Sequence, residues 1–324
     1  MVSGTPSDKS FIARWWLRNP HIQTLWPYLF RRRPALTLKS ERLELPDGDF
    51  VDLCWTTNTT GPIVTVFHGL EGSIDSPYAS AIMAAIHNRG WRGVFMHFRG
   101  CSGVPNRLER GYHSGDTGDI AFLIRTLKNR YPSVPLGIVG YSLGGNAMLK
   151  YLGTMGSDTP VMAAVAVSVP YLLHHSADRL SRGFSRLYQT HLVNSLKDKI
   201  RRKFAGKTTH LPIQSLDTLK TFYQFDDVIT APMHGFSGVD DYYHQSSSRQ
   251  YLPGIRVPAL LIHALDDPFM RPETLPNRNE LPENVRLEAS SHGGHVGFVT
   301  GRYPWKPVYW LEQRIINYLE HYLK

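Results

Sequence analysis

A serine in a glycine-flanked turn is the residue of this sequence best suited to nucleophilic chemistry. Ser142 is the centre of Gly140-Tyr141-Ser142-Leu143-Gly144, which joins a strand-like apolar run at 136–139 to a helical pattern beginning at Asn146. A strand that turns this sharply into a helix has no room for side chains two residues before and after the serine, and it exposes the hydroxyl above the sheet. The pattern predicts a nucleophile; the alternative is an ordinary glycine-rich loop.

A base and an acid must accompany such a serine, because its hydroxyl is a poor nucleophile near neutral pH. The pair Asp266-Asp267 follows the next-to-last predicted strand, and His295 follows the last one. Glycines on both sides of His295, at 293, 294 and 297, permit a loop that reaches back over the sheet. The order serine, aspartate, histidine is that of α/β-hydrolases and differs from the two common serine-protease orders.

The acid of this predicted triad is left open by the local pattern. Asp266 and Asp267 are adjacent, so their side chains point in different directions and only one can hold the imidazole N–H. Periodicity does not choose between them. His292, three residues before His295, is interpreted as a loop-supporting residue and is the alternative base.

An oxyanion site is predicted from two backbone N–H groups. One belongs to Leu143, directly after the serine, and the other to Leu70, inside the loop His68-Gly69-Leu70-Glu71-Gly72. His68 is expected to shape that loop rather than to transfer protons. Cys101 lies in a context that gives no reason for a reactive thiolate.

The elements that must position these residues alternate between strands and helices, which predicts βαβ units and a parallel sheet. A hairpin over 41–45 and 50–55 is expected to add an antiparallel edge. The remaining predicted strands and helices are, in order, strand 63–67, helix 79–88, strand 93–98, helix 116–130, the strand and helix around Ser142, strand 163–170, strand 258–264, strand 285–289 and helix 308–322.

Three regions are predicted from changes in this pattern. Residues 41–170 and 251–324 form an α/β core, and residues 171–250, which have helical patterns and no strong buried strand, form a helical cap insertion. Residues 1–40 are an aromatic and basic arm that ends in Arg31-Arg32-Arg33. We interpret it as packed over the main domain, with a membrane-surface segment as the alternative.

Composition limits the class of protein. The 324 residues carry 36 Lys+Arg against 27 Asp+Glu, a formal charge of +9, but no nucleic-acid-binding signature accompanies the basic runs. Two cysteines are too few for a disulfide framework. The first ten residues have no signal-peptide pattern, and no run of about 18 apolar residues occurs. These features predict a soluble cytoplasmic protein.

Five motifs, spread in order along the chain, resemble the YheT-like branch of the α/β-hydrolase superfamily, which is related to ABHD-type lipid esterases and yeast medium-chain ester synthases. The likeness extends from Asn19 to the C-terminal helix. The motifs are His68-Gly69-Leu70-Glu71-Gly72-Ser73, His97-Phe98-Arg99-Gly100-Cys101-Ser102-Gly103, Tyr112-His113-Ser114-Gly115-Asp116, Gly140-Tyr141-Ser142-Leu143-Gly144-Gly145-Asn146 and His292-Gly293-Gly294-His295-Val296-Gly297-Phe298.

This resemblance implies an α/β-hydrolase fold with a mostly parallel sheet, flanking helices and a helical cap. It also implies carboxylic ester hydrolysis by a Ser-Asp-His triad, and it favours the first aspartate of the pair, so the expected triad is Ser142, Asp266 and His295. It does not imply the natural substrate.

The function expected from these residues is a serine esterase for acyl esters of short or medium chain length, with no metal and no organic cofactor. Its partner is a small-molecule or lipid ester, with no nucleic acid and with weak peripheral membrane contact as a further expectation. Acyl transfer to an alcohol through the same acyl-enzyme is one alternative. A non-catalytic membrane-surface scaffold with the hydrolase fold is the other.

Overall fold

Eight strands form one sheet in a computed structural model that describes residues 11–324. Residues 1–10 of the predicted arm, and the expectation that they carry no signal peptide, lie outside the described residues. The spatial order is β1-β2-β4-β3-β5-β6-β7-β8. The strands are β1 (Leu38–Glu44), β2 (Phe50–Thr56), β3 (Ile63–Phe67), β4 (Arg92–Met96), β5 (Leu136–Tyr141), β6 (Ala163–Val167), β7 (Ala259–Ala264) and β8 (Val285–Ser290).

The parallel part of the sheet, from β4 through β8, follows from sequence composition. Strands β3 to β7 are buried at every position, as expected for apolar strands covered by helices on both faces. Strands β1 and β2 pair antiparallel, and β2 joins β4 antiparallel. The predicted mostly parallel sheet with an antiparallel edge is confirmed, although β1 begins at Leu38 rather than at 41.

Helices cover both faces of this sheet. One face packs against α3 and α4, and the other against α2 and α10, so two separate apolar clusters lie on either side of the strands. These helices and the helix that precedes the sheet are α1 (Pro20–Phe30), α2 (Pro77–Asn88), α3 (Gly118–Arg130), α4 (Leu143–Met155) and α10 (Trp310–Glu320).

The chain between β6 and β7 forms helices. They are α5 (Leu173–Leu180), α6 (Ser185–Phe204), α7 (Phe222–Phe225), α8 (Ala231–Met233) and α9 (Val239–Ser246), with a π-helical turn over Asp226–Thr230 and short 3₁₀ turns. Within residues 11–324, no helix is long and apolar enough to cross a membrane.

The C-terminal end differs from the predicted helix over 308–322. Val308–Tyr309 forms a short strand, β10, that pairs antiparallel with β9 (Val299–Thr300), and α10 begins only at Trp310. The pairing of Val308 and Tyr309 with β9 keeps both residues extended and accounts for the later start of the helix.

Candidate active site

Ser142 sits in a strained turn between β5 and α4. Its backbone has φ +51° and ψ −120°, which is unusual for a residue with a side chain. A Cβ on Gly140 would lie 2.6 Å from the Gly145 Cα, and one on Gly144 would lie 2.4 Å from the His68 carbonyl oxygen. Both glycines are therefore required by close backbone contacts, as the pentapeptide predicts.

His295 joins this serine to an aspartate. Its Nε2 lies 3.0 Å from the Ser142 Oγ, and its Nδ1 lies 2.9 Å from the Asp267 Oδ2. The Asp267 side chain is 1% exposed and the His295 side chain 10% exposed. With Nδ1 protonated and bonded to the carboxylate, Nε2 is free to accept the serine proton, which is the arrangement needed for nucleophilic attack by a hydroxyl.

The choice of Asp266 as the partner of His295 is wrong. The Asp266 Oδ2 lies 3.2 Å from Nδ1 of His292, and its Oδ1 accepts the Gly294 N–H at 3.0 Å. The turn after β7, closed by a bond from the Asp267 N–H to the Ala264 carbonyl at 3.1 Å, separates the two side chains. Asp266 therefore supports the histidine loop, which is also the role predicted for His292.

Three further residues fix the position of His295. Its backbone N–H donates to the Thr24 Oγ1 at 2.9 Å, and the next N–H, of Val296, donates to the Ser168 Oγ at 3.1 Å. The imidazole stacks on Phe269, with ring centroids 4.0 Å apart and planes 3° apart. No spacing in the sequence connects residue 24 or 168 with residue 295, so sequence reasoning missed both.

Helix α1 packs directly against the histidine loop. The Gln23 amide donates to the Val299 carbonyl at 2.9 Å and accepts the Val299 N–H at 2.8 Å. A Cβ on Gly294 would lie 2.6 Å from the Pro20 carbonyl oxygen, and one on Gly297 would lie 2.2 Å from that of Gln23. The glycines near His295 thus admit α1, a role that the loop argument did not anticipate.

The predicted oxyanion loop is held by two buried tyrosines. The Gly69 N–H donates to the Tyr78 hydroxyl at 2.9 Å, and the Glu71 N–H donates to the Tyr112 hydroxyl at 2.9 Å, which leaves the Leu70 N–H between them. Leu143 is the first residue of α4, where backbone N–H groups have no acceptor within the helix. Both N–H groups are thus available to a ligand.

His68 shapes this loop, as expected from the sequence. Its Nε2 accepts the Phe98 N–H at 3.0 Å, and its Nδ1–H donates to the Gly69 carbonyl at 2.6 Å. Burial lowers the pKa of His68 to about 3, so the ring is neutral and fixed in one tautomer. Burial raises the pKa of the Cys101 thiol to about 11, which agrees with the expectation that Cys101 has no reactive thiolate.

Two cavities meet at Ser142 and Leu70. The smaller, about 120 Å³, is bounded mainly by the helices between β6 and β7 and also by Leu143; we call it the chamber. The larger, about 550 Å³, is bounded by α1, by the N-terminal half of α6 and by His295; we call it the mouth. Phe269 borders both.

Comparison with known proteins agrees with this geometry. Residues 62–302 match the family model described as "alpha/beta hydrolase fold". This chain belongs to the α/β-hydrolase family. It is 46% identical to "Putative esterase YheT" of Escherichia coli over 98% of this chain and 95% of that protein. It is 28% identical to "Phospholipase ABHD3" of Mus musculus, over 91% of this chain and 74% of that protein.

A solved structure supports the fold assignment. The Pyrococcus furiosus esterase Pf2001 superposes with a TM-score of 0.60 at 17% identity, covering 98% of this chain and 97% of that chain. The 46% identity to the Escherichia coli protein confirms the predicted resemblance to the YheT-like branch, and together with the family match it supports assignment to the carboxylic ester hydrolases.

Proposed function

We propose that this protein hydrolyses carboxylic esters of short- and medium-chain acids, with Ser142 as the nucleophile, His295 as the base and Asp267 as the orienting acid. The observation that carries the proposal is the continuous chain of contacts from Asp267 through His295 to the Ser142 hydroxyl, at 2.9 and 3.0 Å. The supporting comparison is the likeness to a protein named as an esterase.

The proposed reaction has two steps. Ser142 attacks the ester carbonyl while His295 takes its proton, and the N–H groups of Leu70 and Leu143 stabilise the oxyanion. His295 then gives that proton to the departing alcohol, which leaves an acyl-enzyme. A water molecule attacks the acyl-enzyme by the same route and releases the acid and free Ser142.

The two cavities suggest how an ester is oriented. His295 must reach the oxygen of the departing alcohol, and His295 borders the mouth but not the chamber. The alcohol therefore lies in the mouth, from which it can leave, and the acyl chain lies in the chamber. The small volume of the chamber, about 120 Å³, favours short and medium acyl chains over long ones.

Hydrolysis of 4-nitrophenyl butyrate by wild type and Ser142→Ala tests the proposal. We expect kcat to fall by a factor on the order of 10⁴ to 10⁶ in the variant, as in other serine hydrolases. A fluorophosphonate probe should label the wild type and not Ser142→Ala. Equal turnover by the two proteins would refute the assignment, and folded wild type that resists labelling would favour the non-catalytic scaffold.

The acceptor of the acyl group defines the second candidate function. Water and an alcohol compete for one acyl-enzyme, and the 550 Å³ mouth next to His295 has space for an alcohol. Product analysis with an acyl thioester and ethanol decides between them. Ester formation above the hydrolysis rate would assign an acyltransferase; acid alone would assign a hydrolase.

Weak contact with an anionic lipid surface is the remaining part of the proposal. Tyr28, Phe184 and Leu187 border the mouth and are 63%, 50% and 60% exposed. The adjoining segment 11–40 contains six Lys or Arg and no Asp or Glu. More protein should co-sediment with phosphatidylglycerol vesicles than with phosphatidylcholine vesicles, and Leu187→Ser should reduce the amount bound to phosphatidylglycerol. Equal sedimentation with the two lipids would refute contact with an anionic surface.

A further inference from the structure

The chamber beside Ser142 has one acidic side chain in its wall. Apolar residues of α5, α6 and α7 form part of its surface, including Leu173, Leu180 and Leu192. Asp226, in the π-helical turn between α7 and α8, also borders it. A carboxylate in the wall does not favour the binding of a plain alkyl chain. The chain would displace water from the carboxylate and offer no hydrogen bond in return.

The Asp226 carboxylate is bonded only to neutral hydroxyls. Its Oδ1 accepts from the Thr230 Oγ1 at 2.6 Å and its Oδ2 from the Tyr243 hydroxyl at 2.8 Å. Each carboxylate oxygen can accept two hydrogen bonds, so each retains one free acceptor position. Among residues 11–324, no Lys or Arg pairs with Asp226.

Other shielded carboxylates of the protein have a cationic partner. Asp49 and Asp119 both contact the Arg99 guanidinium, at 3.0 and 2.6 Å, and Glu71 pairs with Lys199. A largely shielded carboxylate without a cation is costly, and its retention in a ligand cavity points to a binding role. Burial raises the pKa of Asp226 to about 6, so the group is mainly ionised at pH 8.

The backbone around Asp226 supports the same interpretation. The turn over Asp226–Thr230 is a π-helical segment, a rare geometry that is frequent at functional sites. The bonds from Thr230 and Tyr243, one to each oxygen, fix the carboxylate in one orientation. A group held in this way can bind a ligand without first losing side-chain freedom.

We propose that Asp226 forms a subsite for a hydrogen-bond donor, an ammonium or a hydroxyl group, at the far end of the acyl chain. This inference rests on the proposed function, since it takes the chamber as the acyl site. The enzyme would then select acyl esters that are apolar along the chain and carry a polar or cationic terminus. An ammonium group should bind better than a hydroxyl because it also neutralises the carboxylate.

The test is a matched series of 4-nitrophenyl esters at pH 8, with acyl chains of four to ten carbons that end in methyl, hydroxyl or ammonium. At the best chain length we expect kcat/KM of wild type for the ammonium ester to exceed that for the methyl ester at least about tenfold, as for hydrogen bonds to charged groups. Asp226→Asn should lose this preference.

Two further variants separate binding from structure. Asp227→Asn is the matched control, because Asp227 is adjacent and exposed and its Oδ1 accepts the Val239 N–H, which an asparagine can also do. It should keep the preference. Tyr243→Phe removes one of the two bonds that orient Asp226 and leaves the charge, so it should weaken the preference without abolishing it. Retention of the preference in Asp226→Asn, or its loss in Asp227→Asn, would overturn the subsite.

A binding measurement keeps this result distinct from the proposed function. Calorimetry of wild type with ω-aminoalkanoates and plain alkanoates of equal length needs no turnover, and the amino acids should bind more tightly by a similar factor. If the ω-aminoalkanoates bind more tightly than the alkanoates but no ester is hydrolysed, the subsite is supported and the esterase activity is refuted. If the esters are hydrolysed but neither the kinetics nor the calorimetry shows a preference for the ammonium group, the subsite alone is refuted.

Discussion

Two histidine–aspartate pairs lie side by side in the loops after β7 and β8, and only one of them reaches Ser142. His295 and Asp267 are 10% and 1% exposed, whereas His292 and Asp266 are 38% and 15% exposed. The donors and acceptors are of the same type in both pairs, and the separations, 2.9 and 3.2 Å, are similar. Chemical composition therefore does not distinguish them.

The surroundings of the two pairs account for the difference. Asp267 also accepts the Phe269 N–H at 2.8 Å, which directs its carboxylate towards the His295 imidazole, and Phe269 then covers that ring. Asp266 instead bonds the Gly294 N–H and stabilises the loop backbone. The pair that contacts Ser142 thus differs from the pair that supports the loop by its fixed orientation and by its shielding from water.

The histidines give the largest expected contrast. His295→Gln removes the group that accepts the serine proton, so we expect kcat for 4-nitrophenyl butyrate to fall by a factor on the order of 10⁶. His292→Gln removes a hydrogen bond from a half-exposed loop residue and should change kcat less than about tenfold. A larger loss in His292→Gln than in His295→Gln would exchange the roles of the two pairs.

The aspartates should differ in the same direction. Asp267→Asn leaves the side-chain shape but favours the wrong histidine tautomer, so we expect kcat to fall by a factor on the order of 10⁴. Asp266→Asn should cost less than about tenfold, because it weakens contacts of the loop backbone alone. Steady-state kinetics at pH 8 on both variants measure this; similar losses would show that the two carboxylates act as one unit.

The anchor on α1 is expected to have a smaller effect. Thr24→Val leaves the His295 N–H without its acceptor, and a lost bond of this kind corresponds to about a tenfold decrease in kcat. KM should change little, and Thr24→Ser should restore kcat because it restores the acceptor. If Thr24→Ser is as slow as Thr24→Val, the hydrogen bond alone does not position the histidine, because serine keeps the hydroxyl and lacks only the methyl.

The stacking ring gives the smallest predicted change. Phe269→Leu keeps apolar bulk but removes the parallel ring contact with His295, which is worth about 1 kcal/mol, so kcat should fall about fivefold. Met270→Leu, a change at the neighbouring residue of the chamber wall, is the control and should leave kcat unaltered. A normal kcat in Phe269→Leu would show that the hydrogen bonds alone hold the imidazole.

Local pattern was sufficient to predict most of the fold. Uninterrupted apolar strands such as Ile63–Phe67 can be recognised without knowledge of their neighbours, because burial on both faces requires apolar side chains at every position. Boundaries were less certain: the strand predicted from 41 begins at Leu38, and the helix predicted from 308 begins at Trp310. These ends depend on pairing partners, β2 and β9, that are distant along the chain.

The candidate site, like the fold, has one part that the local sequence pattern predicts and another part that it does not. The sequence alone determined the sharp turn at Ser142, since such a turn requires glycines at fixed spacing, and it singled out the histidine at 295 by its flanking glycines. Only the tertiary structure decided that Asp267 and not Asp266 faces His295, and that Thr24, Ser168 and Phe269 hold it. The physical reason is that hydrogen-bond partners and side-chain directions depend on how loops fold over one another, and adjacent residues of the same type have the same local pattern.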